Sequence, residues 1–196
     1  MDNLLLQIKN CKECAPHLKD GVNPIIAASR KSKIIIIGQA PGRIVHQTSI
    51  PWNDKSGDNL RNWLGIDKST FYNTDSIALM PMGFCYPGTG KNGDLPPRSG
   101  CAPLWHNKLL AFMPNVELIL LIGQYAQNHY LKDKAKSTLT ETVLYFKTYL
   151  PTYFPLPHPS PRNNIWQAKN EWFGKEVLPE LKKEIYRILK QRVTTF

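Results

Sequence analysis

The segment KIIIIGQAPG, residues 33–42, decides the fold class. Its four successive isoleucines form a short β-branched run, which is typical of a strand buried in a parallel sheet. The run ends directly in a loop of small residues, which would let backbone amides approach a ligand closely. A turn between a strand and a helix also needs Gly and Pro, so by itself this loop fits a plain turn as well as a binding site.

Three further apolar segments, at 75–79, 116–122 and 152–154, are predicted to be strands. Helices are predicted at 58–64 after a possible cap at Ser56, at 102–113, at 124–131, and at 177–189 with Pro179 in the first turn. This alternation predicts an α/β fold, a three-layer α/β/α sandwich with a four-stranded parallel sheet. Ligands bind beyond the carboxyl ends of such strands, so we expect the chemistry in the loops that follow them.

Composition narrows the class of protein. The chain has 196 residues, 42% of them hydrophobic and 20% charged, which suits a single soluble domain over 1–196. No apolar run approaches the roughly 20 residues that span a bilayer, and the N-terminus does not resemble a secretory signal, so we expect a cytoplasmic monomer. The net charge of +10 favours a polyanionic partner such as nucleic acid, although many soluble proteins are basic.

A second stiff loop follows the fourth predicted strand. HPSPRN, residues 158–163, contains two prolines that would hold a histidine, a serine, an arginine and an asparagine in place. A single loop histidine is usually ordinary polar surface. Two stiff loops at the ends of two parallel strands, one carrying Gln39 and the other His158 and Arg162, indicate a site.

These two loops together resemble a known family. GQAPG at 38–42 resembles motif one of the uracil-DNA glycosylase superfamily, and HPSPRN at 158–163 resembles its motif two in the form found in the single-strand-selective monofunctional branch. The resemblance runs from Cys11 through the final helix. It implies a four-stranded parallel sheet between helices, with uracil-containing DNA bound across the strand ends.

Four cysteines extend the resemblance towards the iron-sulfur branches of that superfamily, families four and five. They are Cys11, Cys14, Cys85 and Cys101. The resemblance implies that these thiolates hold a [4Fe-4S] cluster, for which four cysteine ligands in a reducing compartment are suitable. Zinc on the same four residues is the alternative, because CxxC is also half of a zinc knuckle, and a site without metal is the other.

The reaction needs a carboxylate, because cleavage of an N-glycosidic bond passes through an oxocarbenium-like transition state. Several branches have Asp or Asn at the third position of motif one, but here that position is Ala40. The segment PWNDKSG at 51–57 resembles the family five segment whose catalytic Asp precedes Ser-Gly by two residues, and Asp54 matches it. The alternative is that Asp54 or Ser56 only caps a helix beginning near Asp58.

The resemblance also assigns the remaining site residues. Trp52 would stack on the extruded base, although core packing explains a tryptophan equally well, and His158 would donate to a uracil carbonyl. The base would be bound by Gly38, Gln39, Ala40, Pro41, Gly42 and Trp52. DNA would be bound by Ser160, Pro161, Arg162 and Asn163, with Arg162 as the wedge in the duplex and Ser160 on phosphate. The roles of Asn73 and Asp75, near the second strand, stay open, and His46, His106 and His129 are expected to be structural or exposed.

Three functional hypotheses follow. The first is a monofunctional glycosylase that flips uracil out of DNA for hydrolysis, with other deaminated bases as further candidate substrates. No lysine is nominated as a Schiff-base nucleophile. The second is a catalytically weak iron-sulfur protein of the same fold that binds nucleic acid, which Ala40 allows. The third, an α/β enzyme acting on free bases or nucleosides, is disfavoured by the HPSPRN loop and the basic charge.

Overall fold

The computed structural model describes residues 1–91 and 93–190. Within them, six strands run in chain order: β1 (Ile34–Ile37), β2 (Ile77–Leu79), β3 (Thr89–Gly90), β4 (Gly93–Asp94), β5 (Leu118–Ile122) and β6 (Tyr153–Leu156). Four of them form a parallel sheet in the order β2-β1-β5-β6, and β3 and β4 form a small antiparallel hairpin.

The α-helices of the described residues are α1 (Asp2–Lys9), α2 (Arg43–Thr48), α3 (Lys55–Leu64), α4 (Lys68–Tyr72), α5 (Asn107–Ala111), α6 (Gln124–Leu131), α7 (Leu139–Leu144), α8 (Asn164–Lys169) and α9 (Leu178–Lys190). Two π-helical turns, Ala102–His106 and Phe173–Val177, lead into α5 and α9. Short 3₁₀ turns are at Ala15–His17, Lys132–Lys134, Phe146–Tyr149 and Pro161–Asn163. None of these helices combines the length and the apolar character needed to cross a lipid bilayer.

The sheet is buried on both faces because the side chains of β1 alternate between two hydrophobic clusters. Ile34 and Ile36 pack with apolar residues of α3 and α9, such as Leu60 and Ile185. Residues 35 and 37 pack on the opposite face with apolar residues of α1, α5 and α6, including Leu109. Both layers of helices are therefore needed to cover the strands, and the predicted three-layer sandwich is confirmed.

The predicted helices and strands have the correct type and approximate position, but their first and last residues differ from those in the structure. β2 and β5 each begin two residues later than expected, and the predicted helix 102–113 is a π-helical turn followed by the short helix α5. The final helix begins at Leu178, so Pro179 lies in its first turn as predicted. Pro179 lies just after the π-helical turn Phe173–Val177, in which the regular α-helical pattern is already interrupted.

One buried amide fixes the edge of the sheet at which the functional loops begin. The Nε2 atom of Gln127 donates to the carbonyl oxygens of Leu156, at 2.9 Å, and of Leu121, at 3.3 Å. Gln127 is 2% exposed, so losing one partner would leave a buried polar group unpaired. The carboxyl ends of β5 and β6 are thereby held together where β6 enters the HPSPRN loop.

Candidate active site

A cavity of about 560 Å³ opens at the carboxyl edge of the sheet. Parallel strands end at the same edge, so the loops after β1, β2 and β6 meet there although they are far apart in the chain. The predicted residues that line the cavity are Gly38, Gln39, Ala40, Pro41, Gly42, Trp52, Asp54, His158, Ser160 and Arg162. Pro161 and Asn163 are not among its lining residues, and the four cysteines lie at a separate place.

Two walls face each other across this cavity. We call residues 38–42, 52–57 and 158–162 the motif wall, because they contain the motifs found in the sequence. We call residues 87–91 and 93–95 the hairpin wall, because they include β3 and β4. The sequence motifs identified the first wall, whereas no role was predicted for the residues of the second.

The motif wall contains a tightly constrained turn at Trp52. This residue has φ of 57°, a left-handed conformation that bulky side chains rarely adopt. A Cβ atom on Gly57 would lie 1.7 Å from the Trp52 carbonyl oxygen, and one on Gly38 would lie 2.7 Å from Cζ2 of its ring. The guanidinium of Arg61 also donates to that carbonyl, at 3.3 Å. Both glycines are therefore sterically required by the position of Trp52.

The ring of Trp52 contacts both the hydrophobic core and the cavity. It is half-buried, and its inner side packs against the hydrophobic cluster beneath the sheet. The ring also lines the cavity, with its centroid 5.9 Å from that of His158 and the two planes 31° apart. The two alternatives for Trp52 are thus compatible, because a ring fixed by the core offers a rigid flat surface beside the histidine.

Asp54 is the N-cap of α3, which begins at Lys55. Its Oδ1 atom accepts a hydrogen bond from the Gly57 amide at 2.8 Å. The expectation that this helix begins near Asp58 with Ser56 as its cap was therefore wrong. Oδ2 of Asp54 lies on the cavity side, 4.0 Å from where a Cβ on Gly42 would be. One oxygen can cap the helix while the other faces the cavity, so the two readings of Asp54 do not exclude each other.

His158 is held in place as a neutral group. Burial lowers the pKa of its imidazole below the ordinary value, while the negative charges of Asp54 and Asp94 partly oppose this shift. At neutral pH the ring is therefore uncharged and keeps one N–H to donate. The backbone beneath it is fixed, because Asn163 Nδ2 donates to the His158 carbonyl at 2.7 Å and Asn59 Nδ2 donates to that of Pro159 at 3.0 Å.

The same contacts separate the roles of the HPSPRN residues. The amide of Asn163 is engaged within the loop, and the Ser160 hydroxyl accepts from the Arg162 backbone N–H at 3.3 Å. Arg162 is exposed at the mouth of the cavity, and its Nη1 atom lies 3.2 Å from where a Cβ on Gly93 would be. Its guanidinium thus bridges the mouth from the motif wall towards the hairpin wall.

The hairpin wall is held by side chains distant in sequence. Thr89 Oγ1 accepts from Arg43 Nη2 at 2.8 Å and lies 2.6 Å from the Tyr86 hydroxyl. That hydroxyl also donates to Oδ1 of Asp94 at 3.4 Å. The dipeptide Asn92-Gly93 was the available sequence signal, since Asn-Gly is the strongest short-range indicator of a hairpin. Asp94 was not predicted, yet it contributes a second carboxylate to the cavity.

Asn73 and Asp75 lie at the opposite edge of the sheet, because they precede β2. The Asp75 carboxylate accepts from Ser29 Oγ at 2.8 Å and pairs with Lys31 at 3.4 Å. Asp75 therefore lies outside the cavity and does not contribute a carboxylate to it. The residue that follows β2 into the cavity is instead Pro81, which has no side-chain amide to read a base.

Pro81 is supported from behind by a buried histidine. His106 Nε2 lies 3.1 Å from the Pro81 carbonyl oxygen, and Nδ1 lies 2.7 Å from the Tyr130 hydroxyl. A carbonyl only accepts, so Nε2 carries the proton and Nδ1 accepts from the tyrosine. His106 is thus structural, as the sequence suggested, and supports the cavity floor.

The four cysteines converge around one small cavity of their own. Cys11, Cys14, Cys85 and Cys101 line it together with Phe84, Arg98 and Trp105, and all four are free thiols. Burial, with a smaller contribution from the other three thiols, raises the pKa of Cys85 to about 11. Among the described residues, no group of three or more His, Cys, Asp or Glu is placed to hold a single metal ion.

The fold and the cavity define an α/β protein whose site lies at the carboxyl edge of a parallel sheet. The chain belongs to the uracil DNA glycosylase superfamily, whose family model matches residues 26–182. The match contains both motifs and the cavity, and it supports DNA glycosylase activity in general. Its range begins after Cys14, so it carries no information on the cysteine pair at the N-terminus.

Proposed function

We propose that this protein is a monofunctional DNA glycosylase that removes uracil from DNA by base flipping and hydrolysis. The observation that carries the proposal is one cavity that combines a rigid aromatic surface, a neutral imidazole and a carboxylate with one oxygen facing inwards. A flipped base needs a flat apolar surface and hydrogen bonds to its edge. Trp52 supplies the first, and Gln39 and His158 supply donors for the second.

The two ends of the breaking bond develop opposite charges, and each has a suitable partner. Positive charge grows on the sugar, where Asp54 Oδ2 stabilises it and accepts a proton from the attacking water. Negative charge grows on the uracil carbonyl, to which the neutral His158 donates its N–H. Preorganised groups of this kind are usually the largest source of transition-state stabilisation.

DNA binding follows from charge and position. The net charge of +10 favours association with a polyanion, and Arg162 is exposed at the cavity mouth. Arg162 contacts the duplex there as wedge or phosphate ligand, with Ser160 beside it. Pro161 and Asn163 act on DNA through the shape of the loop, since the amide of Asn163 is engaged with His158.

We propose that the cysteine cavity holds a [4Fe-4S] cluster with Cys11, Cys14, Cys85 and Cys101 as ligands. The support for this is that four free thiols line one cavity, and four cysteine thiolates are the ligand set of such a cluster. The cluster would be structural, because it would tie residues 11–14 to both ends of the segment that contains the hairpin wall. Anaerobically purified protein should be brown with about four irons per chain. Colourless protein with stoichiometric zinc would refute the cluster.

The alternative function is nucleic-acid binding without catalysis, which Ala40 at the third position of motif one favours. The deciding experiment uses labelled oligonucleotides with one uracil, as single strand and as duplex opposite guanine, incubated with the protein and then treated with alkali. Strand breaks at the uracil position, and none in the matched thymine oligonucleotide, are expected. DNA binding without breaks would favour the alternative, and release of uracil from free deoxyuridine would favour an enzyme of nucleosides.

A further inference from the structure

Asp94 is a carboxylate in the cavity that neither motif contains. It lies at the end of β4 on the hairpin wall and lines the same cavity as Asp54. Its negative charge reaches His158, since it opposes the lowering of the pKa of that imidazole, as Asp54 does. Two acidic side chains from opposite walls therefore act on the same region of the site.

The two carboxylates converge beside Gly42. A Cβ atom on Gly42 would lie 3.5 Å from Oδ2 of Asp94 and 4.0 Å from Oδ2 of Asp54. A point between the walls is thus close to both oxygens, and the glycine leaves space there for a small molecule. A side chain at position 42 would occupy this space.

Each carboxylate is oriented in the same manner by its own scaffold. Oδ1 of Asp54 accepts from the Gly57 amide, and Oδ1 of Asp94 accepts from the Tyr86 hydroxyl. In both residues Oδ2 remains directed at the space beside Gly42. A water molecule can donate two hydrogen bonds, one to Oδ2 of Asp54 and one to Oδ2 of Asp94. A water held in this way would direct a lone pair of its oxygen away from the two carboxylates.

We infer that Asp94 is a second catalytic carboxylate, which holds the attacking water jointly with Asp54. The inference rests on the proposed glycosylase function. As the water oxygen bonds to C1′ of the sugar, the C1′–N1 bond breaks and its electron pair goes to uracil. One carboxylate takes the proton of the water, and the other stabilises the cationic sugar, a division of labour like that of paired carboxylates in glycoside hydrolysis.

The test measures single-turnover cleavage of a uracil-containing single strand by wild type, Asp94→Asn, Asp54→Asn and the double variant. Asp94→Asn keeps an oxygen for the Tyr86 hydroxyl but loses the charge, so it should slow cleavage by about a hundredfold, at the lower end of the range for a positioned base. The double variant should cleave within about threefold of Asp54→Asn, because groups that act on one water are strongly non-additive.

The matched control is Asp133→Asn, which removes the same charge from an exposed residue outside the cavity and should leave the rate unchanged. Thermal melting and the affinity for uracil-free DNA check that Asp94→Asn is folded. A wild-type rate in Asp94→Asn would overturn the inference and leave the glycosylase function standing. Multiplied losses in the double variant would overturn the shared water. Absence of cleavage by the wild type would overturn the glycosylase function and this inference together.

Discussion

The motif wall and the hairpin wall enclose the same cavity but are stabilised by different means. The motif wall depends on backbone sterics, since neither Gly38 nor Gly57 has room for a Cβ atom next to Trp52. The hairpin wall depends on side-chain hydrogen bonds that Thr89 makes with the exposed Arg43 and the buried Tyr86. The contrast is between a wall fixed by steric exclusion and a wall held by separate hydrogen bonds. The predictions below test that contrast.

The largest effect is expected from Gly57→Ala. The new Cβ would meet the Trp52 carbonyl at 1.7 Å, so the turn must rearrange. We expect a loss of unfolding free energy on the order of 3 kcal/mol or more, measured by urea denaturation, with cleavage abolished. Gly174→Ala is the control, because no heavy atom lies within 4 Å of its Cβ position. Equal stability of the two variants would show that the turn is not sterically locked.

The next effect is on chemistry within the motif wall. Asp54→Asn keeps a capping oxygen but removes the charge, so single-turnover cleavage should fall by roughly a hundredfold or more with folding and DNA binding retained. His158→Ala should lose a comparable factor and discriminate uracil from cytosine less well. The control is Asp67→Asn, since Asp67 caps α4 in the same manner, through Thr70 N at 2.7 Å, outside the cavity. If Asp54→Asn cleaves at nearly the wild-type rate, Asp54 caps the helix and has no catalytic role.

Arg162 joins the two walls at the mouth, and its removal should affect binding more than bond breaking. We expect Arg162→Ala to weaken duplex cleavage by about tenfold at low salt and single-strand cleavage much less, with a shallower salt dependence. Lys175→Ala, which removes an exposed cation paired with Glu171, serves as the charge control. Equal losses on both substrates would contradict the wedge role.

The smallest effect is expected within the hairpin wall. Thr89→Val keeps the shape of the side chain but removes the hydroxyl that joins Arg43 to Tyr86. Because Asp94 keeps its own hydrogen bond from the Tyr86 hydroxyl, we expect a two- to fivefold loss of cleavage, with a change of stability of about 1 kcal/mol or less. Thr148→Val, which removes an exposed hydroxyl bonded to Tyr145, is the comparison variant. A loss as large as that of Gly57→Ala would mean that both walls are equally rigid.

The same contrast explains which parts of the site could be predicted from the sequence alone. The motif wall was predictable because its signals are local: an apolar run that ends in GQAPG, and a Pro-stiffened HPSPRN loop. The hairpin has a local signal in Asn92-Gly93, but its position at the cavity has none, since its anchoring bond joins Arg43 to a residue 46 positions away. The roles of Asn73 and Asp75 stayed open because the register of the second strand was uncertain in the sequence, and the structure shows that both residues precede β2. The start of α3 was predicted three residues too late because Asp54 and Ser56 are both good N-cap residues, and the sequence alone does not decide between them.

His106, the buried histidine behind Pro81, makes the stability of the folded protein depend on pH in the acid range. Burial lowers the pKa of His106 to about 4, against an ordinary value of 6.5. Between these two pKa values the imidazole is protonated in the unfolded chain and neutral in the folded chain. The contribution of His106 to the free energy of unfolding is therefore fully present above about pH 6.5 and declines as the pH falls towards 4. The difference corresponds to roughly 3 kcal/mol of unfolding free energy, lost between about pH 6.5 and pH 4. Acid should accordingly weaken the support of Pro81, and His106→Gln should flatten this part of the profile of stability against pH.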